Sequence, residues 1–395
     1  MKIPKIRFSR FSEEWKEDKL SNVCKVNPNS GILPEKFIYI DLESVENGLL
    51  LKENYIDLSD APSRAQRQLI KDDILFQTVR PYQKNNFYFD KIDTEFKYVA
   101  STGYAQLRAN EDSKFLYQYL HTQNFVNNVL EKCTGTSYPA INSSDLSKII
   151  IYKPSLEEQQ KIGDFFTLLD KRIEQQEQKI ALLKDYKKAM MQKIFSQKIR
   201  FKDDNGNDYP DWEEKILGDV IFRNSKKNKN QKYTLIQSIS NKYGFVNQED
   251  YFEDRRVGSL DVSNYYIIKK GYFAYNPSRI NVGSLAYKND NNISIISPLY
   301  VSFKGNEKYL NDKFLLSWLF SHQFIGKLGK LFEGSVRNTL SYENLSTIGI
   351  DTPCIAEQDK IALFLEVIDK NIENQELLLN ELKEQKQGVL GKMFV

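Results

Sequence analysis

Few side chains in this 395-residue chain are of the types, at the spacings, that carry out chemistry. There are two histidines, His121 and His322. Each falls at the end of an aromatic, helix-like run, where a solvent-facing or capping role is expected rather than proton transfer. Cys24, Cys133 and Cys354 are too scattered for a Cys-x-x-Cys metal pair or an even disulfide framework, so they are expected to stay reduced and no metal site is read. One large nuclease class sets Pro-Asp some distance before an acidic-x-Lys triplet that completes a Mg²⁺ site. Here Pro210-Asp211 runs straight into Glu213-Glu214-Lys215, and Glu95-Phe96-Lys97 has no good upstream partner. A phosphate-cradling loop needs Gly-x-x-x-x-Gly-Lys-Ser/Thr, and Gly326-Lys327-Leu328-Gly329-Lys330 has neither that spacing nor the hydroxyl. Asn27-Pro28-Asn29 and Asn276-Pro277-Ser278 lack the Pro-Pro-aromatic continuation that holds a flipped adenine for methyl transfer. The expectation is a non-catalytic protein.

What the chain does have is binding chemistry. It carries 56 Lys+Arg against 53 Asp+Glu, with 24 Phe and 23 Tyr, a mixture able to stack, hydrogen-bond and meet phosphate. An AT-rich genome would produce the same bias, so composition leaves both explanations open. No run approaches the roughly 18 apolar residues of a membrane span, and the first residues lack a signal-peptide core, so a soluble cytoplasmic protein is expected.

The elements that would position binding groups are duplicated. Pro154-Ser155-Leu156-Glu157-Glu158-Gln159-Gln160-Lys161-Ile162 returns 199 residues later as Pro353-Cys354-Ile355-Ala356-Glu357-Gln358-Asp359-Lys360-Ile361, and the register holds without a gap to Phe195/Phe394. Lys5-Ile6-Arg7-Phe8 with Trp15, Leu20 and Val23 returns as Lys198-Ile199-Arg200-Phe201 with Trp212, Leu217 and Val220. Gly135, Leu146, Ser147, Ile149 and Ile151 return as Gly334, Leu345, Ser346, Ile348 and Ile350. The interiors between these opening and closing segments, Arg64 to Tyr82 and Lys226 to Arg256, share no evident text. The predicted order is globe, rod, globe, rod, over 1–153, 154–197, 198–352 and 353–395.

Within the globes, short β-branched or aromatic runs bounded by Asp, Asn, Gly and Pro predict strands at Phe37–Ile40, Asp73–Phe76, Tyr265–Ile268, Gly271–Tyr275 and Ile293–Ile296. Lys114–Leu120 and Lys313–Leu319 predict one aromatic helix each. The class is α+β. In the rods, Ile162, Phe166, Leu169, Ile173, Gln176, Ile180, Leu183, Lys187, Met190 and Ile194 step by four and three, a heptad seam. The second seam is Ile361, Leu365, Ile368, Ile372, Gln375, Leu379, Leu382, Lys386, Val389 and Met393. Buried polar groups penalise wrong registers, so the rods are expected to pair as an antiparallel, pseudo-two-fold coiled coil that locks at Gln176/Gln375 and Lys187/Lys386. The alternative is that the seams face the globes or other proteins. Gly388 and Gly391 predict fraying near the end of the second rod.

With the Pro-x-x-x-Glu-Gln-x-Lys-Ile helix starts, the Arg-Phe…Trp…Leu openings and the Gly…Leu-Ser-x-Ile closings, the whole chain resembles a specificity subunit of a type I DNA restriction-modification system. The resemblance implies two target-recognition domains, each reading one half of an asymmetric split target on double-stranded DNA. It implies two methyltransferase subunits docked on the helices and restriction/translocase subunits in the full complex, with S-adenosylmethionine, ATP and Mg²⁺ on those partners and no cofactor on this chain.

On that footing the divergent stretches nominate the DNA-contacting residues. In the first globe these are Arg64, Arg67, Lys71, Arg80, Tyr82 and Lys84, with Thr136, Ser137 and Tyr138 after Gly135. In the second they are Lys226, Lys227, Lys229, Arg255, Arg256 and Arg279, with Ser335, Arg337 and Asn338 after Gly334. Base edges take their hydrogen bonds from such side chains and phosphates supply the affinity. Two rival readings stay open: the recognition half of a self-sufficient restriction-methylation enzyme, and a duplicated coiled-coil scaffold that never touches DNA.

Overall fold

Asp73-Ile74-Leu75-Phe76-Gln77 is buried at every position, as a strand covered on both faces must be. In the computed structural model it is an inner strand of a four-stranded antiparallel sheet ordered Cys24–Val26, Tyr104–Ala109, Asp73–Gln77, Phe87–Phe89. The structure describes residues 2–92, 95–135, 137–248, 261–333 and 339–395. It divides into two units, Met1–Gln178 with Glu376–Val395, and Lys179–Gln375.

The first unit closes its globe by pairing the opening segment with the closing one, Lys16–Lys19 antiparallel to Ile150–Lys153. A second sheet, ordered Asn54–Asp57, Lys36–Ile40, Lys97–Ser101, Ala65–Gln68, has one parallel pair at its centre. The aromatic helix Ser113–Tyr119 begins where Asp112 accepts from the Phe115 amide, an N-cap. It lays Phe115, Leu116 and Tyr119 into a core with Trp15, Phe76, Leu107, Ile162 and Phe166.

The second unit repeats this frame. Its four-stranded sheet is ordered Ile221–Arg223, Val301–Gly305, Tyr272–Tyr275, Leu285–Tyr287, and Glu213–Ile216 pairs with Gly349–Thr352. Asn311 caps the aromatic helix Asp312–Leu319. In place of the mixed sheet stand two ribbons, Gln237–Ser240 with Gly244–Asn247 and Tyr266–Ile268 with Ser294–Ile296.

The rods are helices Leu156–Phe195 and Ile355–Met393, and none of the predicted seam positions is exposed. In the first unit Lys386 meets Asp170 at 2.5 Å and Lys383 meets Glu177 at 2.6 Å, so the helix segments there run antiparallel. In the second unit Lys187 meets Asp369 at 2.5 Å. This corrects the expected Lys187/Lys386 lock: two ammonium groups would repel, and each instead takes an aspartate that directly follows a seam residue of the opposite helix, Leu169 or Ile368. The expected fraying is also corrected. The second helix runs through Gly388 and Gly391, because Leu390, Met393 and Phe394 are buried in the first unit's core. There Phe394 meets Trp15, Phe115, Tyr119 and Phe166 ring to ring.

The duplicated Glu-Gln at each helix start has a structural explanation. Glu158 is almost fully buried and takes both 2.7 Å bonds of a bidentate fork from Arg7 of the opening segment. Gln159 donates to the Pro154 carbonyl at 3.0 Å. Glu357 likewise receives Arg200 at 2.8 Å, together with the Trp212 indole N–H at 3.2 Å, and Gln358 donates to Pro353 at 2.9 Å. These residues hold each globe on its helix.

Candidate nucleic-acid interface

At the end of the strand Asp73–Gln77 the chain is pinned residue by residue. Thr78 donates to the Gly103 carbonyl from its amide at 3.1 Å and its hydroxyl at 2.8 Å, and accepts from the Ile141 amide at 3.0 Å. Arg80 donates from its amide to Pro139 at 2.8 Å, and the Gln77 side chain bonds Gln83 at 2.9 Å. Arg80 itself sits in the left-handed region, at φ 54° and ψ 55°, just before the 3₁₀ turn Pro81–Gln83. Its guanidinium lies 4.1 Å from the centroid of the Tyr138 ring. Gly135 begins the facing loop at φ 90°, and a Cβ there would stand 3.1 Å from the Tyr138 carbonyl, so both the backbone angle and the close approach call for glycine.

Among the nominated residues, this network brings Arg64, Arg80, Tyr82, Ser137 and Tyr138 into one surface. Thr102 donates to the Arg64 carbonyl at 2.8 Å, next to the Gly103 carbonyl that holds Thr78. Tyr82, Ser137 and Tyr138 are exposed. Arg67 is half-buried on the strand Ala65–Gln68, opposite Ala100. Its Nε is buried without an acceptor, and burial pulls its pKa down. Lys84 turns inward, its ammonium bonding the His121 carbonyl at 3.1 Å and Gln123 at 3.3 Å, and burial lowers its pKa as well. Lys71 is exposed at the opposite end of Asp73–Gln77, a strand length of roughly 15 Å from Arg80. Thr136 lies outside the described residues.

His121 takes the capping role expected of it, on one of the last carbonyls of helix Ser113–Tyr119, but it does not face solvent. A carbonyl can only accept, so its Nδ1 carries the proton donated to Tyr117 at 2.7 Å, and the ring packs on Tyr117 with centroids 4.6 Å apart. Burial lowers its pKa from 6.5 to about 4. The ring is packed into the first globe, because Asn86 and Lys84 come from distant sequence to cover it. His322 is exposed at the start of helix His322–Glu333.

In the second unit, Lys226, Lys227 and Lys229 are exposed along a loop anchored by two buried asparagines. Asn224 donates to the Ile267 carbonyl at 3.0 Å, and Asn228 donates to the Tyr233 carbonyl at 2.9 Å. Arg279 is exposed just before the 3₁₀ turn Ile280–Val282, which follows the strand Tyr272–Tyr275. That is the place Arg80 holds in the first unit, 199 residues earlier. Sequence reading nominated both residues without noticing this echo, although the offset is the one that revealed the repeat. A cleft of about 230 Å³ is lined by Arg223, Asn224, Tyr266, Pro277, Thr339 and Glu343 among others, but by neither the nominated lysines nor Arg279. Arg255, Arg256, Ser335, Arg337 and Asn338 lie outside the described residues.

The helices have a second character. In the first unit Leu168 and Leu377 are exposed by 67% and 61%, and in the second Leu182, Leu363 and Val367 by 70%, 62% and 57%. A contiguous apolar patch would mark a partner surface, whereas single exposed leucines and valines are ordinary. Among the described residues no helix is long and apolar enough to cross a membrane, and no three His, Cys, Asp or Glu side chains group to hold a metal ion.

The profile of the family described as type I restriction modification DNA specificity domain matches twice, over residues 12–185 and 209–384. The specificity subunit of type I restriction enzyme HindI from Haemophilus influenzae is 27% identical over 176 residues, which is 41% of this chain but only 36% of that relative. The putative type I restriction enzyme MjaX specificity subunit from Methanocaldococcus jannaschii is 22% identical over 421 aligned positions, covering 99% of this chain and 95% of the relative. A chain of a type I R-M system, solved for its complex assembly and conformational transition, superposes with a TM-score of 0.59 at 22% identity, over 96% of this chain and 97% of that one. The type I restriction-modification S subunit of M. genitalium gives 0.59 at 14% identity, over 100% and 99%. At these identities the superpositions speak to the fold.

Proposed function

We propose that this chain, which belongs to the type I restriction modification DNA specificity family, reads a two-part DNA target, one half with each globe. The observation that carries this is the repeated site. In both units the same four-stranded sheet delivers an arginine, Arg80 or Arg279, without a carboxylate partner among the described residues, to the turn after the same strand. Around that turn the frame stops being copied, so each globe offers different side chains to base edges. Nearby exposed lysines and tyrosines supply phosphate and stacking contacts, which position the protein without specifying sequence. The nominated residues outside the described ones, Thr136, Arg255, Arg256, Ser335, Arg337 and Asn338, belong to the same proposal.

The two long helices set the number of base pairs between the halves. Their bare leucines and valines dock the methyltransferase subunits, and restriction/translocase subunits join for cleavage. S-adenosylmethionine, ATP and Mg²⁺ act on those partners, in the cytoplasm, and this chain supplies the address. Footprinting of the chain together with its methyltransferase partner tests the reading. Two protected segments about one helical turn apart are expected, and a single or absent footprint would favour a scaffold that does not read DNA.

A further inference from the structure

We propose that Arg80 is a base-reading residue of the first globe and selects guanine with the terminal edge of its guanidinium, an assignment that rests on the DNA-reading function above. Among the described residues five arginines are held by carboxylates, and Arg64, Arg67, Arg172 and Arg279, like Arg80, are not. Arg7, Arg10, Arg108, Arg200 and Arg223 each meet a carboxylate, at 2.7, 2.7, 2.8, 2.8 and 2.6 Å. Arg80 has no carboxylate and no side-chain hydrogen bond among the described residues, yet it is not loose. Its Nε is buried without an acceptor. Its Cζ lies over the Tyr138 ring, 4.1 Å from the centroid. Its backbone holds a left-handed conformation uncommon for a non-glycine residue, fixed by the bonds from its amide to Pro139 and from the Gln83 amide to its carbonyl, at 2.8 and 3.0 Å.

A guanidinium held this way can no longer use Nε, and its place over Tyr138 is set before any ligand arrives. What it offers is the pair of parallel N–H donors on Nη1 and Nη2. Of the four bases in the major groove, only guanine presents two adjacent acceptors, O6 and N7, that satisfy both donors. Adenine pairs its N7 with an amino donor, cytosine shows an amino donor, and thymine shows one acceptor beside a methyl group. A phosphate accepts the same two donors, but every nucleotide offers one, so a requirement for one G·C pair is what separates base reading from a phosphate contact. Tyr138 is a positioning residue: it holds the guanidinium in place and leaves the edge free.

The test is a genome-wide map of methylated sites in cells carrying the complete system with wild-type chain, Arg80→Ala, Arg80→Lys or Tyr138→Ala. The wild type should give a two-part motif with a required G·C pair that Arg80→Ala releases, discrimination at that pair falling by about 5- to 150-fold while every other position holds. Arg80→Lys should keep a weakened preference for the same pair, and Tyr138→Ala should loosen that pair alone. An unchanged motif modified evenly less at all sites would make Arg80 a phosphate contact and overturn the assignment, as would relaxation at an A·T pair. If Arg80→Ala abolishes methylation altogether, Arg80→Lys decides: loosening at one G·C pair supports the assignment, and uniform loss overturns it. A wild type without any two-part motif would fail the broader reading and this one with it.

Discussion

The two globes are built on one sheet and part company beyond it. In each, the same order of four strands leads to the same turn, and the same buried glutamate ties an opening arginine to the start of the long helix, Arg7 to Glu158 and Arg200 to Glu357. Past that frame the first globe adds a mixed four-stranded sheet, where the second adds two separate ribbons. The two arginines at the shared turn differ in the same way. Arg80 is left-handed with its guanidinium over Tyr138, whereas Arg279 has φ −134° and is exposed. Residues that hold a globe to its helix are fixed by packing and ion pairing, and residues that face outward are free to differ. The proposed reading of two unlike sequences at one spacing calls for that division.

The comparison can be broken first at the helix ends. Phe195 and Phe394 are repeat partners, each buried in the core of a different unit. Phe195→Ala and Phe394→Ala should each cost about 3–5 kcal/mol. Hydrogen exchange should show the loss confined to the second unit for Phe195 and to the first for Phe394. Equal loss in both units from either change would mean that the two are not separate cores.

A smaller effect should sharpen the contrast through pH. Where the first globe has His121, the second has the exposed Phe320. Burial depresses the His121 pKa from 6.5 to about 4, with Lys386 and Lys84 adding to the fall and the Tyr117 carbonyl and Asp170 opposing it. The unfolded chain binds the proton below pH 6.5 and the folded one does not until about 4, so the contribution is complete above 6.5 and is lost as pH falls through that window. Urea unfolding should show the first unit weakening between pH 6.5 and 4 and His121→Gln removing much of that slope, with no counterpart in the second unit. An unchanged slope in His121→Gln would assign it to other groups.

The periodic parts of this architecture were legible in the sequence. Both seams follow from their heptad spacing, and the five strand runs from short β-branched or aromatic stretches bounded by Asp, Asn, Gly and Pro. Pairings made by residues distant in sequence were not. Lys187 and Lys386 were read as polar spots in a seam, but their partners Asp369 and Asp170 stand one place beside it, so the seam pattern passed over them. Lys84 read as a surface cation until its contacts to His121 and Gln123 placed it inward. The Arg80/Arg279 echo was present in the text at the repeat offset, but unlike neighbours on both sides hid it.

The central claim is that frame and reader are separable. The most direct test replaces residues 24–150 with the corresponding region of another member of the family and maps the methylated sites with the same methyltransferase partner. One half of the motif should change, while the other half, the spacing and the level of modification stay as they were. A change in both halves, or in neither, would contradict the account.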